Sequence, residues 1–87
     1  MEKVFILLEK SFFKENGTDY AMAVSERDID LCSDFDKADT MRDGKIYNLE
    51  KMGFAQSEHI KNDACDYIVL KKDNYRVVLE IIMKTIA

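Results

Sequence analysis

The segment Tyr75-Arg-Val-Val-Leu-Glu-Ile-Ile-Met-Lys-Thr-Ile86 constrains this chain more than any other stretch. Val77, Leu79, Ile81 and Met83 occupy every second position, and Arg76, Val78, Glu80, Ile82, Lys84 and Ile86 lie between them. A period of two belongs to an extended strand. One wholly apolar row beside a mixed row belongs to a sheet covered on a single face. Asp66-Tyr-Ile-Val-Leu-Lys71 precedes this segment across Lys72-Asp73-Asn74, a polar link with turn chemistry. The last third therefore reads as a hairpin that needs a covering layer.

A second pair of strands is expected near the N-terminus. Residues 4–13 are rich in β-branched and aromatic side chains, and Asn16-Gly17 suits a tight turn into a return strand at Tyr20–Val24. Val4, Leu7, Leu8, Ser11 and Phe12 also fit a helical period, so a helix over 3–14 is the alternative. Ser25-Glu-Arg-Asp28 has the chemistry of a helix start. From there Leu31, Phe35, Ala38, Arg42, Lys45, Leu49 and Met52 step by three and four, and Gly53 supplies a stop. Gly44 and the two bases soften the middle, so the covering layer is one long or one broken helix over 26–53. Residues 55–63 are polar and carry no period. The expected fold class is α+β, in the order β-β-α-β-β, with a four-stranded, mostly antiparallel sheet packed against that helix.

Eighty-seven residues, 47% of them hydrophobic and none proline, fit a single domain spanning 1–87. No apolar run approaches the roughly 18–20 residues of a membrane span, and the opening Met1-Glu2-Lys3-Val4 lacks a signal-peptide pattern. Cys32 and Cys65 read as buried thiols of a reducing, cytoplasmic setting. Three glycines form no phosphate-binding motif, and the single histidine, His59, has no neighbouring Cys or Asp that completes a catalytic set. The expectation is a protein that is not an enzyme and needs no cofactor.

Charge is the informative remainder. Residues 26–43 hold seven acids and three bases, while the rest of the chain is balanced, so the whole net charge of −4 belongs to one segment. On a helix, Asp36, Asp39, Asp43 and Glu50 fall within roughly 60° of one another, with Tyr47 beside them and Cys32 in line. Like charges at this spacing oppose helix formation by a few tenths of a kcal/mol per pair. The stripe is thus either a solvated face or an acidic docking surface, with Tyr47 as its aromatic anchor. The expected partner is another protein with a basic surface, captured by Asp36, Asp39, Asp43, Tyr47 and Glu50. Neither direct nucleic-acid binding nor membrane attachment fits so acidic a chain.

In size and charge the chain resembles small acidic inhibitors made by bacteriophages. That resemblance implies inhibition or sequestration of a partner, with the stripe imitating spaced phosphates if the partner's patch binds nucleic acid. Residues 39–50 in turn resemble the twelve-residue calcium loop of the EF-hand family. Asp39 stands at the first ligand position, Asp43 at the fifth, Gly44 at the turn, Ile46 at the central apolar site and Glu50 at the bidentate position. The resemblance implies a calcium site of Asp39, Asp43, the Lys45 carbonyl and Glu50, although Met41 replaces one oxygen ligand. A third possibility is a homo-oligomer assembled through an exposed strand edge, with Tyr75–Ile86 as the seam.

Overall fold

Alternation in the C-terminal third becomes the middle of a sheet. A computed structural model describes residues 2–13, 23–62 and 65–86. Its elements are β1 (Glu2–Phe13), β2 (Ala23–Cys32), α1 (Phe35–Lys51), β3 (Ala55–Lys61), β4 (Cys65–Lys72) and β5 (Tyr75–Ile86). All strand pairings are antiparallel, in the spatial order β2-β1-β5-β4-β3. The α+β class, the antiparallel sheet and the single helical layer match the expectation. To the expected order β-β-α-β-β the structure adds one more strand, β3, which raises the sheet to five.

Register explains how the faces sort. β1 pairs with β5 along its whole length, from Glu2 opposite Ile86 to Phe13 opposite Tyr75, which sets Leu7 beside Ile81 and Glu9 beside Leu79. β4 flanks β5 on the other side, with Ile68 opposite Leu79 and Leu70 opposite Val77. These residues share the face beneath α1, where Leu7, Leu70 and Leu79 are completely buried. One core cluster joins Ile46 of α1 to Ile68, Leu70, Val77 and Leu79. A second joins Ala38 to Leu7, Cys32 and Ile81, with Phe5 and Phe35 packed edge to face at 6.0 Å. The β4–β5 link is a two-residue turn closed by Lys72 opposite Tyr75, and Asp73 takes the left-handed φ of 51° that a short polar residue tolerates.

The start of the helix is the main correction. Residues 25–32 belong to β2 rather than to a helix, and they pair with β1 from Cys32 opposite Phe5 to Ala23 opposite Phe12. Two irregularities, after Leu7 and after Ser11, mark that pairing. Ser25 had offered only a cap, a local signal worth about 1 kcal/mol; a run of cross-strand hydrogen bonds to β1 outweighs it. The operative cap is Asp34, extended at φ −141°, whose carboxylate accepts the Lys37 N–H at 2.8 Å. The alternative helix over 3–14 is likewise replaced by β1. Asn16-Gly17 and most of the expected return strand lie outside the described residues.

The helix then runs unbroken through Gly44 to Lys51. A Cβ at position 44 would meet nothing within 4 Å, so that glycine answers no packing demand. Gly53 does what its position promised. At φ +100° it reverses the chain, its N–H donates to Glu50 O and the Phe54 N–H donates to Leu49 O, each at 3.0 Å. Lys72 adds a donation from Nζ to Met52 O at 2.5 Å, a cation at the negative end of the helix. Among the described residues no helix is long and apolar enough to cross a membrane.

Candidate functional site

On a 3.6-residue helix the core-facing positions of α1 are Ala38, Arg42 and Ile46, and all three are buried. The two flanks beside them look toward opposite ends of the sheet. Met41 and Lys45 face β2 and β1: the Cys32 thiol lies 3.8 Å from the Met41 sulfur, and Lys45 pairs with Glu9 at 3.8 Å. Asp39 and the residues in line with it occupy the flank toward β4 and β3. There Lys61 of β3 sits over the Phe35 ring, 5.5 Å from its centroid.

Arg42, which the sequence placed as a blemish in an apolar stripe, is the centre of a buried polar network. Its side chain is 1% exposed. Nη1 donates to the backbone carbonyl of Asp66 at 2.9 Å and to its carboxylate at 3.0 Å, and Nη2 donates to Asp39 at 3.0 Å. The same Asp66 oxygen lies 2.6 Å from His59 Nε2. An ionised carboxylate only accepts, so that nitrogen carries the hydrogen. Four residues of α1, β3 and β4 are thus tied by charge-assisted hydrogen bonds, with Arg42 Nε a buried donor that finds no partner among the described residues. His59 therefore does have an acidic partner, seven residues further along the chain.

Burial by itself pushes the Asp66 carboxyl up, but the hydrogen bonds and charges of Arg42 and His59 prevail and hold it below its ordinary value. A carboxylate whose native pKa is depressed stabilises the fold fully above its unfolded value. That contribution is lost as pH falls below about 4, toward the native pKa. Urea unfolding followed across the acid range should therefore show a steeper loss of stability for the wild type than for Asp66→Asn. Parallel profiles would mean that the network carries no linked proton.

The sequence-predicted docking residues divide into two groups. Asp36, Asp43, Tyr47 and Glu50 are exposed on one side of α1, with Tyr47 60% exposed. Asp36, Asp43 and Glu50 make no ion pair among the described residues. Asp39 belongs to the same row but is already engaged by Arg42. Cys32 is not in line with them at all; it ends β2 and is buried. Lys51 lies over the Tyr47 ring at 4.7 Å, which fixes the aromatic among the acids.

The calcium reading does not survive the fold. Residues 39–50 lie inside the continuous helix, whereas an EF-hand ligand set needs a loop turned sharply at its central glycine. Among the described residues no group of three or more His, Cys, Asp or Glu is placed to hold a metal ion. Tyr75–Ile86 is also excluded as an oligomer seam, because β5 is flanked by β1 and β4 and presents no free edge.

A groove of about 730 Å³ opens where β2 meets α1, lined by Cys32, Ser33, Asp34, Asp36, Lys37, Thr40 and Met41. A second, of about 290 Å³, lies on the sheet face away from the helix, between Lys10, Glu58, Arg76 and Glu80 and apolar neighbours. The first carries the Cys32 thiol, 3.8 Å from the Met41 sulfur; the second carries charges of both signs, with Lys10 and Glu80 already paired at 3.5 Å.

Comparisons with protein-family models, with curated proteins and with solved structures found no match to this chain.

Proposed function

We propose that this protein acts by binding another protein, docking a cationic surface of that partner along the outer flank of α1. The reading rests on one observation: Asp36, Asp43 and Glu50 stand exposed in a row, with no ion pair among the described residues, around an exposed tyrosine that carries Lys51 over its ring. A row of unneutralised carboxylates raises the encounter rate with a basic patch and orients it, while an aromatic at its centre supplies contact area. Inhibition or sequestration suits so small a chain better than scaffolding, since it has few faces to offer. If the partner's patch serves nucleic acid, the row competes by occupying the phosphate positions.

The test is a charge reversal that spares the structural acids. Asp36→Lys, Asp43→Lys and Glu50→Lys together should leave the circular dichroism spectrum and unfolding midpoint close to wild type. Retention of the partner from a lysate of the native host should fall at least tenfold, and wild-type binding should weaken steeply with salt. Asp39 is left untouched because it pairs with Arg42. Equal capture by both proteins, or capture indifferent to salt, removes the electrostatic reading.

A further inference from the structure

β3 is the end strand of the sheet, and all seven of its residues, Ala55–Lys61, are exposed. Among the described residues it pairs with β4 alone, so its outer side presents backbone N–H and C=O groups of the kind that template another strand. We propose that this edge takes up an extended segment of the partner as a sixth strand, one carrying lysine or arginine at alternate positions. The proposal rests on the acidic-flank reading above and specifies how that flank is used.

Three observations set the chemistry of the occupant. First, α1 is oriented along β3: Phe35 at its start lies under Lys61, Asp39 and Arg42 meet His59 through Asp66, and its end leads through Gly53 into Ala55. Second, the lengths agree. Seventeen helical residues in α1 rise about 25 Å, and seven extended residues in β3 span about 23 Å. The helix and the edge strand are thus of similar length, although the start of α1 packs over β1, β2 and β5 and only its later turns over β4 and β5. Third, the residues of a strand that point to one face repeat about every 6.6 Å. Asp36, Asp43 and Glu50 lie seven helical residues apart, about 10.5 Å. Cations at every second position of an added strand thus all face the side of α1, where these acids stand. Among the cations on that side, Arg42 is committed to Asp39 and Asp66, Lys61 lies over the Phe35 ring and Lys51 over the Tyr47 ring. On the opposite face of β3 stand Glu58 and the exposed Ile60, opposite Val69 and Tyr67 of β4, so the other face of the added strand meets a less acidic, partly apolar surface.

The experiment titrates the full chain with a nine-residue synthetic peptide of alternating lysine and valine. Two companions are used: the same peptide N-methylated at alternate residues along one edge, and a block isomer with its lysines contiguous. Backbone amide spectra and hydrogen exchange report on residues 55–61. The alternating peptide should bind with shifts and new protection concentrated in β3. Methylation on the pairing edge should weaken it by roughly tenfold or more, since the backbone hydrogen bonds to β3 are lost. Methylation on the far edge should be tolerated. The Asp36→Lys, Asp43→Lys, Glu50→Lys protein should lose the alternating peptide as well. Equal binding of both methylated forms and the block isomer would overturn strand addition while leaving charge-driven docking on α1 intact. No binding of any peptide would overturn both, and a concentration-dependent dimer protected at β3 would assign the edge to a second copy instead.

Discussion

Asp66→Ala is expected to destabilise the fold by about 3 kcal/mol or more, because removing one partner of a buried ion pair strands the other. Asp66 is 5% exposed and Arg42 1%, so water does not replace the lost carboxylate. Arg42 would keep the Asp66 backbone carbonyl and Asp39, which places the cost near the lower end of the range for broken buried pairs. His59 would lose its acceptor at the same time. The diagnostic comparison is the double variant Arg42→Met, Asp66→Ala. With no charge left buried at the centre, it should be more stable than Asp66→Ala alone, and urea midpoints at fixed m-value would read this directly. A cost for Asp66→Ala within about 0.5 kcal/mol of zero, as for a surface substitution, would show that the network is not closed to solvent.

Leu79→Ala should cost about 2–5 kcal/mol through lost burial and the cavity left between β5 and α1. Leu79 is completely buried, lies opposite Ile68 in the register and shares a cluster with Ile46, Leu70 and Val77. Total stability for a chain of this size is roughly 4–13 kcal/mol by per-residue scaling, so this single truncation reaches a large part of it. Val78, the next residue, points to the opposite face and is only half-buried, so Val78→Ala should cost clearly less. Equal losses at the two positions would contradict the one-sided cover of the sheet.

These two sites differ in how far they could be seen in the sequence. Leu79 sits in a period-two row, and both its strand and its inward direction follow from that row alone. Arg42 was visible only as a base interrupting an apolar helical stripe. Its partner Asp66 is 24 residues away, and no local pattern announces so distant a pair. β3 was missed for a different reason. A strand buried on neither face has no alternation to display, and Ala55–Lys61 is exposed at every position. The acidic segment was over-read: residues 26–32 carry some of its carboxylates into β2, where pairing with β1 decides the conformation. What is legible of the acidic row is its helical part, Asp36, Asp43 and Glu50 with Tyr47 beside them. Asp39 kept its place on the row but had acquired a structural duty that spacing cannot reveal.

The pairing of β1 with β5 also governs when this protein can become itself. This inner seam of the sheet joins β1 to β5, so its closure must wait until β5 has left the ribosome. Leu7 and Ile81, neighbours in one cluster, are separated by most of the chain, and such distant partners make assembly slow relative to a helical domain of equal length. Until β5 emerges, the flanks of β1 and β4 that it will cover remain bare. Translation pauses before β5, or truncation within it, should therefore leave a sticky, protease-sensitive species rather than a smaller working version of the fold.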